Sequence, residues 1–228
     1  MKIAVLTSPN QWFVPYAKNL SSKLNAQLFY DHTEIFGFDI VFVLSYHRII
    51  ADEFLCKNKH NIVIHESDLP QGKGWAPLFH QVLEGKNEII FTLFEADTGT
   101  DSGLIYAKKT LCLTGNELYD ELRKKQALMS EEMCFEFIKN YDNLKPQAQS
   151  GDESFYPKRT PKDSQLDTSK SLDELFNQLR VVSNDDFPAF FYKNGQKFIL
   201  KIYSEGGGKR ASLNSFCFAF SQSWADAC

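Results

Sequence analysis

The chain has 228 residues, of which 43% are hydrophobic and 24% are charged, a composition that excludes a disordered chain and indicates a folded globular protein. Its formal net charge of -4 at pH 7 gives no overall attraction to phosphate backbones, so we expect no nucleic-acid partner. No apolar run reaches the roughly 18 to 20 residues that span a bilayer, and residues 1–13 turn polar too early for a signal peptide. We therefore expect no membrane partner and a cytoplasmic location.

The cysteines and histidines give no sign of a metal site. The 5 cysteines are scattered, odd in number and without a CxxC pair, and His32, His47, His60 and His80 lack the spacing of metal ligands. We therefore expect no metal and no disulfide framework, with reduced cysteines in structural roles.

The first part of the chain alternates short apolar strands with helices. The pattern predicts strands over residues 2–6, 26–30, 40–44 and 61–65, and helices over residues 14–24 and 51–57. Continuous apolar strands between helices indicate a mainly parallel sheet covered on both faces, so the expected fold class is α/β. Ligands of open α/β sheets bind outside the carboxyl ends of the strands, and His65 stands at such an end.

The rest of the chain divides into three parts. A helix over residues 77–84, strands over 88–95 and 103–109, and a long helix over 114–140 complete the main domain, residues 1–141; the long helix begins with the capping pattern Thr114-x-x-Glu117. Residues 142–170 lack periodicity and are interpreted as a surface linker. Residues 171–228 form a small α+β module. It has a capped helix over 171–180 and a hairpin, strands 189–192 and 197–203, that turns at Asn194-Gly195. Residues 205–228 have no clear pattern.

Two motifs carry the strongest chemical signal. The first is His65-Glu66-Ser67-Asp68-Leu69-Pro70, continued by Gly72-Lys73-Gly74-Trp75-x-Pro77, and the second is Asp97-Thr98-Gly99-Thr100-Asp101-Ser102-Gly103. In this order they resemble the signature of the formyltetrahydrofolate-dependent formyltransferases, and the resemblance extends to about residue 203. It implies a Rossmann-like formyltransferase domain over residues 1–141, N10-formyltetrahydrofolate as co-substrate, and His65 and Asp101 as catalytic residues.

Within this family the chain most resembles the sugar N-formyltransferases of pseudaminic-acid-type pathways. The segments Leu179-Arg180-Val181-Val182 and Phe187-Pro188-Ala189-Phe190-Phe191-Tyr192 resemble the small module of the sugar enzymes. The resemblance implies a nucleotide-linked amino sugar as substrate, a UDP-4-amino-4,6-dideoxy sugar, and a role in surface glycan biosynthesis. The sequence leaves open whether the nucleotide is UDP or dTDP, and whether the protein is a homodimer.

The resemblance also implies the binding residues. The folate site would contain Ser45, Tyr46, Arg48, Ile49, Gly72, Lys73, Gly74 and Asp97. The substrate site would contain Asn10, Trp12, Phe13, Glu66, Asp68 and Trp75. Taken without the resemblance, the two glycines around Lys73 are weak support for a phosphate cradle, Asp97 is typical of a turn, and most aromatic residues belong to a core.

The chemistry of formyl transfer suits a histidine and carboxylate pair. Transfer to an amine passes through a tetrahedral oxyanion, which needs a donor aimed at the oxygen and a base for the ammonium proton. A histidine can serve both needs near neutral pH, and a neighbouring carboxylate orients its ring. The resemblance implies that Asp101 is this carboxylate and that it lies beside His65.

One position departs from the family pattern. The family places an asparagine two residues before the histidine, where this chain has Val63. Asn61 shares that strand face but lies about 6.6 Å further from the strand end, so Asn10 is the more reachable amide. The alternatives are a methionyl-tRNA or glycinamide ribonucleotide formyltransferase, a formyltetrahydrofolate hydrolase, or a non-catalytic paralogue that binds a nucleotide sugar.

Overall fold

The computed structural model describes residues 1–48 and 50–205, which contain ten strands and five α-helices. The strands are β1 (Ile3–Leu6), β2 (Gln27–Phe29), β3 (Ile40–Val43), β4 (His60–His65), β5 (Lys73–Gly74), β6 (Glu88–Glu95), β7 (Ile105–Cys112), β8 (Phe155–Tyr156), β9 (Ala189–Lys193) and β10 (Gln196–Leu200). The α-helices are α1 (Val14–Leu24), α2 (Asp52–Leu55), α3 (Pro77–Leu83), α4 (Tyr119–Lys139) and α5 (Leu172–Arg180). Short 3-10 helices cover His32–Glu34, Tyr141–Asn143 and Pro161–Ser164.

A six-stranded sheet in the order β2-β1-β3-β4-β6-β7 organises the main domain. The first four strands in this order are parallel, whereas β6 and β7 continue the sheet antiparallel. The predicted α/β fold with a mainly parallel sheet is therefore confirmed. Because β2 and β3 lie on opposite sides of β1, the carboxyl ends of β1 and β3 border a topological switch point, where open sheets bind ligands.

Apolar side chains cover both faces of the sheet. In β1, Ile3 and Val5 join the larger core cluster with residues of α1 and α4, whereas Ala4 and Leu6 join a smaller cluster on the opposite face. This follows from the alternation of side chains along a strand. Since neither face meets water, the strands appear in the sequence as continuous apolar runs.

The long helix α4 begins later than its capping pattern predicts. The carboxylate of Glu117 accepts hydrogen bonds from the backbone N–H groups of Thr114, at 2.8 Å, and Gly115, at 3.2 Å, and so holds these residues in a turn before the helix. A second carboxylate, from Glu121, accepts from the N–H of Leu118 at 3.1 Å, and the helix starts at Tyr119. The prediction of a start at Thr114 was wrong because Glu117 caps a turn and not the helix.

The segment interpreted as a surface linker contains a short strand. β8 pairs in parallel with β5, and Gln147 bridges to Ile105 at the start of β7. The sequence did not indicate this strand, because two residues have no periodicity that a pattern can reveal. The division of the chain into residues 1–141, 142–170 and 171–228 stays an interpretation.

The C-terminal module packs against the main domain through a buried ion pair between Arg180 and Glu117. Arg180, at the end of α5, is 1% exposed, and its Nε donates to the carbonyl of Glu117 at 3.1 Å. The predicted hairpin is present as β9 and β10, and Asn194 and Gly195 have φ values of 51° and 79°, which suit a type I′ turn. Residues 206–228 lie outside the described residues.

In the part of the chain that the structure describes, no helix combines the length and apolar character needed to cross a membrane. The cytoplasmic location stays a prediction of the sequence.

The Glu117 ion pair leads to a prediction about acid stability. Burial opposes the ionisation of Glu117, but hydrogen bonds from Lys125 and from backbone N–H groups outweigh burial and lower its pKa from 4.5 to about 2. A carboxylate with a depressed folded-state pKa stabilises the fold fully above its ordinary pKa and loses that contribution as the pH falls toward the folded value. The contribution of Glu117 should therefore disappear between about pH 4.5 and 2.

We expect Glu117→Gln to lower the free energy of unfolding at pH 7 by about 3 kcal/mol, because Arg180 would remain buried without a counter-charge. Urea denaturation at pH 7, 5 and 3 should show that the difference in unfolding free energy between wild type and variant becomes smaller below pH 4.5. Glu88→Gln, at an exposed position, is the control. A difference in unfolding free energy that does not change with pH would contradict this role of Glu117.

Candidate functional site

His65 lies at the carboxyl end of β4 with its side chain almost fully buried. Its Nε2 is 2.8 Å from the carbonyl oxygen of Gly72 and 3.7 Å from Oδ2 of Asp101. A carbonyl can only accept, so Nε2 carries the proton in this arrangement and Nδ1 is the basic nitrogen. The described residues form no hydrogen bond to Nδ1. The ring is therefore oriented through one nitrogen, while the other is free to exchange a proton.

Asp101 is held by the loop that precedes β7. Its Oδ2 accepts a hydrogen bond from the N–H of Gly74 at 2.9 Å, and its backbone has a φ of 51°, in the left-handed region that most residues avoid. Gln149 donates to the carbonyl of Asp101 at 2.8 Å and to that of Gly103 at 2.9 Å. The strained conformation is thus stabilised by neighbouring contacts, as is common at functional sites.

The glycine-rich loop after His65 is held by β8. The N–H of Gly72 donates to Oγ of Ser154 at 2.8 Å, and the backbone of β5 bonds that of β8. A Cβ at Gly74 would lie 2.6 Å from the carbonyl oxygen of Tyr156, so this close approach requires glycine. The buried hydroxyl of Ser67 finds no partner among the described residues. Sequence reasoning missed Ser154, Tyr156 and Gln149, because no periodic pattern marks them.

The loops at the switch point contact one another through Gln11. Its amide nitrogen donates to the carbonyl of Ser45 at 2.8 Å, and its oxygen accepts from Oγ of Ser45 at 3.0 Å. In the same loop, Tyr46 contacts Nδ1 of His32 through its hydroxyl at 2.8 Å, and Arg48 forms an ion pair with Asp31. Ile49 lies outside the described residues.

Of the other predicted folate residues, Lys73 and Asp97 already have partners. Lys73 is 2% exposed, and its ammonium group lies 2.5 Å from Oε1 of Glu153. Asp97 accepts hydrogen bonds from the N–H of Gly99 and the hydroxyl of Ser102, which is the turn role that its surroundings favour.

The predicted substrate residues are dispersed. Phe13 is 3% exposed and belongs to the core, so it offers little surface to a ligand. Asn10 is exposed on the loop after β1, and Trp75 is 44% exposed. Asp68 pairs with Lys108 at the surface.

Glu66 and Trp12 form part of a polar and aromatic network beside His65. The backbone carbonyl of Glu66 accepts a hydrogen bond from the amide of Gln81 at 2.6 Å, and its carboxylate accepts one from the amide of Gln126 at 2.5 Å. The ring of Trp12 packs against the guanidinium group of Arg123.

The position two residues before His65 offers no side-chain amide. Val63 is half-buried and packs against the cluster on the β1 face that contains Ala4 and Leu6. The side chain of Asn61 is buried and donates to the carbonyl of Leu55 at 3.0 Å. Neither residue therefore presents a donor to an oxygen beside His65. No group of three or more potential metal ligands occurs among residues 1–48 and 50–205.

Comparisons with known proteins identify relatives of the main domain. The formyl transferase family model matches residues 4–138. The methionyl-tRNA formyltransferase of Rickettsia massiliae (strain Mtu5) is 28% identical over 189 residues, which cover 82% of this chain and 58% of that protein. The chain thus spans little more than half the length of this curated relative.

Solved structures share the fold. The methionyl-tRNA formyltransferase from Clostridium thermocellum has a TM-score of 0.74 at 19% identity, covering 92% of this chain and 96% of that one. A sugar N-formyltransferase from a Shewanella species has a TM-score of 0.67 at 15% identity, covering 90% and 98% of the two chains. At such identities the likeness establishes the fold alone.

Gly103 allows a direct test of how tightly the Asp101 loop must pack. A Cβ at Gly103 would lie 1.7 Å from the carbonyl oxygen of Glu95, so Gly103→Ala must push the loop away from β6. We expect the free energy of unfolding to fall by about 2–3 kcal/mol in urea denaturation.

The matched control is Gly37→Ala, where a Cβ meets nothing within 4 Å and only the backbone φ of +70° is unfavourable. Gly37→Ala should lower the free energy of unfolding by about 1 kcal/mol. Equal losses of unfolding free energy in Gly103→Ala and Gly37→Ala would contradict tight packing of the Asp101 loop against β6.

Proposed function

Because the chain belongs to the formyl transferase family, we propose that it transfers a formyl group from N10-formyltetrahydrofolate to the amino group of a nucleotide-linked amino sugar. One observation carries the proposal. His65 and Asp101 converge at the carboxyl end of a central strand, beside a glycine-rich loop. This is the pair that formyl transfer to an amine requires, a group that exchanges a proton and a carboxylate that orients it.

The proposed mechanism assigns separate tasks to the two nitrogens of His65. The folate donor supplies the formyl carbon, which the amine nitrogen of the acceptor attacks. His65 accepts the ammonium proton at Nδ1, while its Nε2–H remains bonded to the carbonyl of Gly72. The carboxylate of Asp101 stabilises the imidazolium that forms, and the N–H of Gly74 fixes the position of the carboxylate. The proton then leaves with the tetrahydrofolate nitrogen as the formyl–nitrogen bond of the donor breaks.

A sugar acceptor is supported by two observations. The net charge of -4 opposes association with a polyanion such as tRNA. The motifs of the C-terminal module resemble those of sugar enzymes. The 28% identity to the Rickettsia protein favours methionyl-tRNA as the second candidate.

A product screen tests the acceptor. The chain would be incubated with the folate donor and, separately, with UDP- and dTDP-linked amino sugars, glycinamide ribonucleotide and methionyl-tRNA. We expect mass spectrometry to detect a formyl group on a nucleotide sugar. Formyl-methionyl-tRNA would favour the second candidate, release of free formate would indicate a hydrolase, and sugar binding without transfer would indicate a non-catalytic paralogue.

Substitution of His65 tests the mechanism. His65→Asn should reduce kcat by about 10³-fold, because proton transfer by a positioned side chain contributes on that order, while the affinity for the nucleotide sugar is retained. Asp101→Asn should lower kcat less than His65→Asn does. Asp152→Asn, an exposed carboxylate on the segment after Asn143, serves as control. Full turnover in His65→Asn would contradict the mechanism.

The amide of Asn10 is the proposed donor to the oxyanion in place of the missing asparagine at Val63. Asn10 has a φ of 54°, so Asn10→Gly removes the amide without adding backbone strain. Loss of one oxyanion donor should reduce kcat by about 10²-fold with little change in KM. Unaltered turnover in this variant would exclude Asn10 from the role.

A further inference from the structure

Two arginines from distant parts of the chain are linked by contacts to the start of α4. Arg123 donates to the hydroxyl of Tyr119, and Arg159 donates to the carbonyl of Val181, which follows the Arg180 that contacts Glu117. Arg123 belongs to the first turns of α4, and Arg159 lies on the segment that follows β8. Among the described residues, neither guanidinium group has a carboxylate within 4.0 Å. The buried Arg180, in contrast, pairs with Glu117. The two arginines therefore concentrate positive charge that this part of the chain does not neutralise by direct pairing.

Arg123 is held rigidly between aromatic rings. Its guanidinium carbon is 4.3 Å from the ring centroid of Trp12 and 4.3 Å from that of Phe79. Nε donates to the hydroxyl of Tyr119 at 3.2 Å, and Nη1 donates to Oε1 of Gln126 at 3.0 Å. Two of its three nitrogens are thus occupied, and the described residues provide no acceptor for Nη2. A planar group fixed in this way presents its remaining edge in one direction.

Arg159 has a donor without a partner. Its Nη1 donates to the carbonyl of Val181 at 3.0 Å, but its buried Nε finds no acceptor among the described residues. Buried donors are normally satisfied, so an unpaired Nε indicates a missing acceptor. Burial lowers the pKa of Arg159; the charges of Asp163 and Tyr119 oppose this shift, and the charge of Arg123 adds to it.

The nearby carboxylates have other partners. Burial lowers the pKa of Arg123 and the charge of Glu66 opposes that shift, but Oε1 of Glu66 accepts a hydrogen bond from Gln126. Asp163 acts on Arg159, but it accepts hydrogen bonds from the N–H and hydroxyl of Thr160. Asp186 also acts on Arg123, and it is exposed to solvent.

From this geometry we propose that Arg123 and Arg159 bind the diphosphate group of the nucleotide-linked sugar. The inference rests on the proposed function and adds the residues that recognise the substrate. Guanidinium forks match phosphate oxygens in geometry and charge, and a diphosphate would supply the acceptors that Nη2 of Arg123 and Nε of Arg159 lack. The chain of contacts from Arg123 through Gln126 to Glu66 ends one residue from His65. The diphosphate would thus lie near the segment that carries His65.

The experiment compares UDP with uridine, and dTDP with thymidine, by calorimetric titration of the full chain. Wild type should bind the diphosphates more tightly than the nucleosides. Arg159→Gln and Arg123→Gln should each weaken diphosphate binding by about 10- to 100-fold, the loss typical of a charge-assisted hydrogen bond, and leave nucleoside binding unchanged. Unchanged nucleoside affinity also shows that the variants are folded. Lys162→Gln and Lys124→Gln remove a neighbouring exposed charge as controls.

The outcomes separate the inference from the proposed function. Diphosphate affinity that survives in both arginine variants would overturn the inference and leave the sugar acceptor standing. Loss of affinity for the polyglutamate form of tetrahydrofolate, with diphosphate binding intact, would assign the arginines to the folate tail and overturn the inference. A wild-type protein that binds neither diphosphate would overturn the sugar acceptor and the inference together.

Discussion

The pairing of β5 with β8 holds the parts of the candidate site in place. His65 ends a buried strand, but its ring is oriented by the carbonyl of Gly72, and Asp101 is oriented by the N–H of Gly74. Both glycines belong to a loop with little apolar surface of its own. Backbone hydrogen bonds to residues about 80 positions later in the chain fix this loop. The chemistry at His65 therefore depends on contacts formed far from it in sequence.

A second constraint joins the C-terminal module to the main domain. Arg180 is almost fully buried, and its charge is balanced by Glu117 in the turn before α4. Burying a charge is favourable only when it is paired and hydrogen-bonded, so the two residues must be in place together. Val181, the next residue, joins the main hydrophobic core and also accepts the hydrogen bond from Arg159. The module thus helps to position Arg159.

The sequence predicted the sheet, most helices and the hairpin, because burial on one or both faces leaves a regular pattern of apolar residues. The resemblance of its two motifs to a family signature also predicted that Asp101 lies near His65, as the structure has it. The sequence did not reveal Gln149, Ser154 or Arg159, whose roles come from single contacts between loops. Such contacts impose no spacing on the chain, and a segment rich in Pro, Ser and Asp is read as a linker whatever it touches. The misplaced start of α4 has a related cause, since one carboxylate can cap a turn or a helix with the same sequence pattern.

Strand β8 has a consequence for the modularity of the protein. The family model ends at residue 138, yet the strand that clamps the Gly72 loop lies at residues 155–156, and Arg159 follows it. A fragment cut at the end of α4 would retain the whole central sheet and still lack the backbone partner of its glycine-rich loop. Recombination that exchanged the C-terminal segment for an unrelated one would therefore have to replace a strand of the site as well as a module. The two parts of the chain therefore form a single structural unit around the glycine-rich loop, although their compositions differ.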